Sequence, residues 1–251
     1  ATVSVNGLGV EGRLRMPVMP LQWLYAGFGV AALFGGKNRA KKVGHKLSLL
    51  VLTQRVDEDD NNLSVHVRWL RWFASQCVDV QVIAQAVGTY DLPSNVRVTS
   101  LGKERGASRF MQLLHLLRMS WRSVHEADAV FILMSPLYVL LLWPFAVLQG
   151  KPVFLWYPHK HVSGTLRLAV LCVKKVFSAS PESFRLKTNK VVFTGHAIDT
   201  EFFVPAKDSV RQHGKLVTVG RLSPAKRIEF MIDAVEYLRV HGHELTLEII
   251  G

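Results

Sequence analysis

Cysteine is scarce in this chain, with only two among 251 residues. Two cysteines exclude a scaffold built on disulfides and a zinc module that depends on cysteine ligands. Acidic residues are also few, with 19 Asp and Glu against 31 Lys and Arg, which leaves a formal net charge of +12. This excess indicates an anionic partner: nucleic acid, phospholipid or a phosphorylated small molecule. The hydrophobic fraction of 49% can fill a core and excludes a disordered chain.

From Lys46 onward, short apolar runs alternate with helical patterns, and neither internal repeats nor low-complexity tracts are present. The predicted strands are 47–53, 78–84, 96–101, 129–134, 152–157 and 190–194. The predicted helices lie around 63–77, 110–124, 137–149 and 165–177, the third interrupted at Pro144. Nearly continuous hydrophobic strands separated by helices are typical of a parallel sheet covered on both faces. The predicted fold class is therefore α/β, with ligands expected beyond the carboxyl ends of the strands.

Three of the predicted helices carry apolar stripes. A long amphipathic helix is marked by apolar side chains at helical spacing: Phe110, Leu113, Leu114, Leu117, Trp121 and Val124. Cys77 and Cys172 lie on stripes of two other helices, so we expect both in the core of a protein from a reducing compartment.

The almost wholly apolar helix at 137–149 leaves two interpretations open. Its Trp143, Phe145 and 140–142 side chains are expected in the core. Alternatively, they form part of a membrane-facing surface together with the basic side chains Arg167, Lys174 and Lys175.

A second unit begins after the polar stretch 206–215. A strand is predicted at 216–219, then a helix with an apolar stripe at Ile228, Ile232, Val235 and Leu238, and a final strand at 244–251. The predicted organisation is an extension at 1–45, a first α/β domain with its linker at 46–205, and the first strand–helix–strand unit of a second domain at 206–251. Because nothing covers the final strand, we expect the chain to continue beyond Gly251.

The extension contains an uncharged segment, 16–36, about as long as a bilayer is thick. Four basic residues follow at 37–42, as is typical of a cytoplasmic flank. A membrane anchor, a segment lying on a membrane surface and a non-native leader all stay open. A cleaved signal fits less well, because the basic cluster follows the apolar run instead of preceding it.

The strongest chemical signal is the segment 220–227, GRLSPAKR, between a strand and a helix. The Ser223-Pro224 pair suits an N-cap and a first helical position, which places Lys226 and Arg227 in the first turn and Arg221 just before it. A helix N-terminus disfavours each exposed cation by about 0.3–1 kcal/mol. Three cations beside free backbone N–H groups are best explained by a bound phosphate or diphosphate. A solvated basic turn is the alternative.

Two segments around the domain junction are GHAIDTEFF at 195–203 and LVTVGRLSPAKRI at 216–228. Both resemble retaining glycosyltransferases of family GT4. In that family a G-x-x-I/V-D segment enters the second domain, and a V-G-R-L-x-x-x-K loop holds the diphosphate of the donor. Softer similarities to the family's first domain lie at 52–60, 68–70, 155–159 and 180–185. The resemblance covers about Lys46 to Gly251, and the first 45 residues have no part in it.

The resemblance implies a GT-B fold, with an acceptor-side Rossmann-like domain facing a donor-nucleotide domain of the same kind. It implies transfer from a nucleoside-diphosphate sugar, with retention, to a hydroxyl of a lipid-linked or polysaccharide acceptor. Gly220, Arg221 and Lys226 would bind the diphosphate, and Gly195 and Asp199 would lie at the donor cleft. No metal and no cofactor beyond the donor substrate are expected, because fixed cations and N–H donors stabilise the departing diphosphate.

The first domain offers further candidates. His159 follows the strand 152–157, and a first-domain histidine approaches the donor sugar in GT4 relatives, so we assign it a tentative catalytic role. The acidic loop from Asp57 to Asp60 lies where this fold keeps a donor or acceptor loop, with Ser64 at a position that is usually Gly in related chains. A solvated acidic loop is the alternative, and its formal D-x-D is expected by chance.

Two rival functions stay open. A nucleotide-sugar enzyme such as an epimerase would have G-x-G-x-x-G after the first strand, but 54–60 contains no glycine. A basic module that binds nucleic acid would concentrate Lys and Arg on one element with aromatics between them, whereas here they are scattered. We therefore expect a glycosyltransferase, peripheral or anchored at the cytoplasmic face of a membrane, with no nucleic-acid partner. The family's E-x7-E motif would lie beyond Gly251, so the chain alone is expected to be inactive.

Overall fold

A computed structural model describes residues 47–195, 212–220 and 222–251. Residues 47–195 belong to one compact unit, and 212–220 with 222–251 belong to a second. The extension with its segment 16–36, the linker residues Ala197 and Asp199, and Arg221 lie outside the described residues. Within the described part, no helix has the length and apolar character needed to cross a membrane.

The first unit is a seven-stranded parallel sheet with helices on both faces, which confirms the predicted α/β class. The strand order is β3-β2-β1-β4-β5-β6-β7. The strands are β1 (Ser48–Val56), β2 (Asp79–Val87), β3 (Val96–Ser100), β4 (Ala129–Leu133), β5 (Val153–Trp156), β6 (Lys175–Ser178) and β7 (Val191–Phe193). The helices are α1 (Val65–Gln76), α2 (Arg109–Glu126), α3 (Pro136–Leu148) and α4 (Gly164–Cys172).

The centre of the sheet lies at β1, where Val51 pairs with Val82 of β2 on one side and Phe131 of β4 on the other. All three side chains are buried, as the continuous apolar runs predicted. Since β1 and β4 are neighbours although β2 and β3 separate them in sequence, the direction of winding reverses between them. In such sheets a crevice opens beyond the carboxyl ends of the strands at this point.

Two cores lie on opposite faces of the sheet. One joins α1 to the sheet through edge-to-face aromatic pairs, with Phe73 against Phe131 and Phe131 against Phe177. The other joins the sheet to α2, α3 and α4, which contribute Leu116, Leu142 and Leu166 respectively. These three helices therefore form a single layer, in which α3 packs against both of its neighbours.

The predicted helix 165–177 is wrong in its second half. α4 ends at Cys172, Val173 is extended, and Lys175–Phe177 pairs with 154–156 of β5 as part of β6. Val176 and Phe177 are fully buried. A short run of buried apolar residues cannot be assigned to strand or helix by periodicity, and no Gly or Pro separates α4 from β6.

The apolar stripe that marked α2 is divided in the structure. Val124 is buried, whereas Phe110, Leu114, Leu117 and Trp121 are exposed. The other side chains of α2 that face the sheet are Leu116, Ser120 and Ser123. Both sets recur at helical spacing, and the smaller side chains allow a closer approach to the sheet. The Ser120 hydroxyl donates to the Leu116 carbonyl at 2.6 Å, so its burial leaves no unpaired donor.

α3 runs through Pro144 without the predicted interruption. Buried Val139, Leu142 and Ala146 flank the proline and hold the helix on the sheet. Cys77 is buried at the end of α1, as predicted, and Cys172 is half-buried at the end of α4.

The second unit is the predicted strand–helix–strand arrangement. β8 (Lys215–Val219) and β9 (Thr246–Ile250) pair in parallel, and α5 (Ile228–Val240) connects them. A separate 3-10 turn, Pro224–Lys226, precedes α5, so Lys226 does not lie in the first turn of the α-helix. The Ser223 side chain makes no capping hydrogen bond.

Candidate functional site

The two strands of the second unit end in glycines whose backbones touch. The Gly220 N–H donates to the Ile250 carbonyl at 2.9 Å. A Cβ added to Gly251 would lie 2.8 Å from the Gly220 oxygen and 2.9 Å from Leu222 Cγ, so a side chain would force a shift there. The two glycines therefore allow a close approach of the strand ends at the ligand-facing end of the sheet.

Lys226 lies against this backbone. Its N–H donates to the Ser223 carbonyl at 2.9 Å, which closes the 3-10 turn. The turn brings Lys226 Cε to 3.7 Å from the point where a Gly220 Cβ would stand. Two of the three residues assigned to the diphosphate thus lie together. No carboxylate among 47–195, 212–220 and 222–251 forms an ion pair with Lys226, and its side chain is exposed.

Arg227 is arranged differently from the prediction. It precedes α5 in a left-handed conformation with φ 48°, and its guanidinium carbon lies 5.5 Å from the centre of the Phe230 ring. Glu229 follows in the first turn of α5. The argument from the helix dipole therefore applies to Arg227 and not to Lys226. Arg221, the third predicted cation, lies outside the described residues.

A groove between α5 and β9 is lined mostly by apolar side chains such as Ile232, Val235 and Leu247. The groove extends along β9 from Leu245 to Ile249, and neither Gly220 nor Lys226 lines it.

In the first unit, Asp57 directly follows β1 and is buried. Its carboxylate accepts from Arg55 Nε at 3.1 Å, from the Asp59 N–H at 3.1 Å and from the Thr89 hydroxyl at 3.4 Å. A Cβ added to Gly88 would lie 2.3 Å from the Asp57 Cγ atom. The carboxylate therefore occupies space that only a glycine leaves free. For Asp57, the alternative of a solvated acidic loop is wrong.

Glu58 and Asp60 also bind within the protein. The Glu58 N–H donates to the Thr89 carbonyl at 2.8 Å, and its side chain pairs with Arg71. Asp60 Oδ1 accepts the N–H groups of Asn62 at 2.9 Å and Leu63 at 2.7 Å. These two backbone bonds lower the pKa of Asp60 below its usual value. The acidic run thus orders the entry to α1.

Ser64 stands where the GT4 resemblance predicts Gly. Its φ of −53° and ψ of −29° are ordinary helical values, and its side chain makes no capping bond. The conformation therefore does not require glycine. Among the described residues, no group of three or more His, Cys, Asp and Glu side chains is arranged to hold a metal ion.

A buried polar pair lies beneath this loop, and the sequence analysis missed it. His66 Nδ1 and Thr53 Oγ1 are hydrogen-bonded at 2.7 Å, and both side chains are buried. Burial lowers the pKa of His66 to about 4, so the imidazole is neutral at pH 7. The available signal was Thr53, a polar residue within a continuous apolar strand.

His159 lies just beyond the carboxyl end of β5 and is exposed. Its ring stands edge-on to Tyr157, with the ring centres 5.4 Å apart. The Tyr157 hydroxyl donates to the His161 carbonyl at 3.1 Å, which fixes the loop that carries His159. β5 is two strands away from β1 in the sheet, so His159 and Asp57 belong to different parts of this edge.

Gly195 follows β7 with a φ of +77°, a left-handed conformation that favours glycine. Its N–H donates to the Ala179 carbonyl at 3.1 Å, which ties it to the end of β6. Asp199, its predicted partner at the donor cleft, lies outside the described residues.

Comparison with known proteins identifies the fold. No model of a protein family matches the chain, and no curated protein matches it. A solved structure of HepE from Anabaena, in complex with UDP and glucose, matches with a TM-score of 0.56 and 17% identity. The match covers 81% of this chain and 60% of HepE, so the chain spans less than two thirds of that structure.

Two further structures match to a similar degree. WaaB, a lipopolysaccharide outer core galactosyltransferase in its apo form, has a TM-score of 0.52 and 10% identity, over 82% of this chain and 68% of WaaB. A Listeria monocytogenes protein assigned as a UDP-N-acetylglucosamine 2-epimerase has a TM-score of 0.52 and 12% identity, over 81% of this chain and 62% of the Listeria protein. The chain has a GT-B-like fold. At these identities the likeness concerns the fold.

Proposed function

We propose that the protein is a glycosyltransferase that moves a sugar from a nucleoside-diphosphate sugar to a hydroxyl of a lipid-linked or polysaccharide acceptor. The observation that carries this proposal is the position of Lys226 beside Gly220, at the carboxyl end of β8. An ammonium that is unpaired among the described residues, at the ligand-facing end of a parallel sheet, suits a diphosphate. The fold shared with HepE in complex with UDP and glucose supports the same ligand class.

The chemistry follows from charge. When the bond between sugar and phosphate breaks, negative charge develops on the departing nucleoside diphosphate. Lys226 would stabilise that charge together with Arg221, without a divalent ion, and transfer would proceed with retention as in GT4 enzymes. In this proposal Gly195 and Asp199 line the donor cleft and His159 approaches the donor sugar. The enzyme would work at the cytoplasmic face of a membrane, where lipid-linked acceptors are found.

Calorimetry of the full chain with UDP, GDP and ADP tests the diphosphate site. A hydrogen bond to a charged group contributes about 1.5–3 kcal/mol, so Lys226→Ala should weaken binding of the preferred nucleotide roughly ten- to a hundredfold. Lys215→Ala is the matched control, because it removes the same charge at the opposite end of β8, where Lys215 pairs with Glu248 at 2.8 Å. Equal affinity in wild type and Lys226→Ala would refute the assignment.

An epimerase that acts on a nucleotide sugar is the second candidate. The Listeria protein assigned as a 2-epimerase shares this fold. The lack of G-x-G-x-x-G after β1 therefore argues only against enzymes of the dinucleotide-binding type. Incubating the full-length protein with UDP-sugars separates the candidates. Inverted configuration at one carbon of the sugar, produced without an acceptor, would identify an epimerase. Turnover that requires an added acceptor would identify a transferase.

A further inference from the structure

The layer formed by α2, α3 and α4 has an unusually apolar outer side, here called the helical face. On α2, the outward stripe consists of Phe110, Leu114, Leu117 and Trp121, with Phe110 66% exposed. α2 and α3 are joined by a hydrogen bond from Gln149 Nε2 to the Trp121 carbonyl at 3.1 Å, so the stripe adjoins α3. The apolar surface therefore continues from one helix to the next.

α3 and α4 extend the same face. None of the 13 residues of α3 is charged. Exposed apolar side chains of these two helices are Leu137, Trp143, Val147, Leu148, Leu168 and Leu171, with Leu148 75% and Leu171 73% exposed. Single exposed leucines are normal on a protein surface, but a set on three adjacent helices is typical of an interaction surface.

The charges on these helices have almost entirely one sign. α2 and α4 carry Arg109, Arg118, Arg122 and Arg167, and the one acidic residue of the three helices is Glu126. Arg122 and Glu126 form an ion pair at 2.7 Å, which leaves an excess of three arginines. A surface complementary to the helical face is therefore both apolar and anionic.

We propose that the helical face docks on an anionic phospholipid bilayer. Leucine, phenylalanine and tryptophan side chains enter the boundary between headgroups and acyl chains, and the arginines reach the phosphates. Each basic residue near an anionic leaflet adds attraction that falls off within a Debye length. The inference deepens the membrane location in the proposed function, but it can be tested separately because docking requires no nucleotide sugar.

A second copy of the chain fits the helical face less well. A twofold contact places the same patch on both partners, so the arginines of one copy would approach those of the other. Each copy also carries a net charge of +12, which opposes association. An anionic bilayer satisfies the apolar side chains and the arginines together.

Vesicle co-sedimentation of the full chain tests the proposal with a closely matched pair of variants. Val147→Glu places an anion on the helical face, where Val147 is 54% exposed, and Val78→Glu makes the identical change between α1 and β2, where Val78 is 53% exposed. Wild type should bind phosphatidylcholine vesicles only when they contain phosphatidylglycerol, and less at higher salt. Val147→Glu should bind about tenfold more weakly, and Val78→Glu like wild type.

Arg118→Gln probes the charge separately. It should weaken binding to vesicles that contain phosphatidylglycerol and make it less sensitive to salt. Unchanged binding of both Val147→Glu and Arg118→Gln would overturn the proposal, including the case in which residues 16–36 carry all of the affinity. A wild-type dimer that Val147→Glu dissociates, with vesicle binding unchanged, would identify a second copy as the occupant instead.

Two controls separate this proposal from the proposed function. Circular dichroism and urea unfolding check that each variant is folded. Calorimetry with UDP should give the same affinity for all three variants as for wild type, because none of them touches the Gly220 site. Loss of vesicle binding with nucleotide affinity intact therefore supports the helical face alone. Failure of nucleotide binding in wild type leaves the vesicle result valid.

Discussion

Gly88→Ala should destabilise the first unit through one identifiable contact. The three atoms nearest to the added Cβ are all in the Asp57 carboxylate, at 2.3, 2.3 and 2.6 Å. An ordinary contact begins near 3.4 Å, so the carboxylate or the Gly88 backbone must move by about 1 Å. The φ of Gly88 is not in the left-handed region, so backbone conformation adds no further strain.

The size of the effect follows from the bonds that Asp57 would lose. The carboxylate accepts from Arg55 and from the Asp59 N–H, each at 3.1 Å, and a shift of this size breaks both. A bond to a charged group contributes about 1.5–3 kcal/mol, and the bond from the partly exposed Arg55 contributes toward the lower end. We therefore expect Gly88→Ala to lower the free energy of unfolding by about 2–4 kcal/mol.

Urea unfolding followed by tryptophan fluorescence measures this change, because five of the six tryptophans lie in the described part of the first unit. Gly164→Ala is the control, since an added Cβ there meets nothing within 4 Å. In an Asp57→Ala background, Gly88→Ala should cost less than about 0.5 kcal/mol, because the clashing group is gone. Equal costs in both backgrounds would refute the contact as the cause.

Two other perturbations have outcomes that the structure sets. The pKa of His66 is lowered in the folded protein from 6.5 to about 4. As the pH falls below 6.5, the unfolded chain therefore binds a proton that the folded chain does not. The free energy of unfolding should decline between pH 6.5 and about 4 by up to roughly 1.4 kcal/mol per pH unit. His66→Gln should flatten this part of the profile of urea midpoint against pH relative to His159→Gln, and parallel profiles would contradict the assignment. Lys190 Nζ donates to the carbonyls of Val170, Leu171 and Val173 at 2.9, 2.8 and 2.9 Å at the end of α4, so Lys190→Met should lower the free energy of unfolding by about 2–3 kcal/mol. Lys187→Met is the control, because Lys187 is exposed. Equal losses of unfolding free energy for the two changes would show that the bonds from Lys190 to the end of α4 do not stabilise the protein.

The fold class was predictable because a parallel sheet covered on both faces requires strands that are continuous apolar runs, separated by helices. β1, β4 and β5 are continuous apolar runs and were placed within a few residues of their observed bounds. β6 was not found, because only Val173 and Lys174 separate it from α4 and neither Gly nor Pro marks the boundary. The boundary depends on pairing between Val176 and Leu155 of β5, a contact that local sequence does not encode.

The face of α2 was unpredictable for a related reason. Two stripes at helical spacing share the helix, and hydrophobicity favours the one with Phe110 and Trp121. The sheet selects the other, where Ser120 and Ser123 leave room for close packing. The spacing of apolar residues therefore identified the helix, whereas packing against the neighbouring sheet decided which side of the helix is buried.

At the candidate site, contacts within one short segment were predictable, whereas contacts between residues far apart in the sequence were not. The strand–Gly–turn order around Gly220 and Lys226 is contained in eight consecutive residues, so their proximity followed from the motif, although the 3-10 turn did not. The environment of Asp57 depends on Gly88 and Thr89, more than thirty residues later. Because the sequence alone does not show these neighbours, the acidic run could be taken for a solvated loop.

The cations beside the loop 57–60 and the cation beside Gly220 differ in whether they are paired, and this difference indicates which of the two sites suits a diphosphate. In the first unit, Arg55 is engaged by Asp57 at 3.1 Å and Asp60 at 3.4 Å, and Arg71 by Glu58, so these cations are already neutralised. Lys226 has no ion-pair partner among the described residues and lies beside bare backbone. A diphosphate therefore gains more at Gly220 than at the loop 57–60. Substitutions at Asp57 should consequently change stability far more than nucleotide affinity, whereas Lys226→Ala should do the reverse.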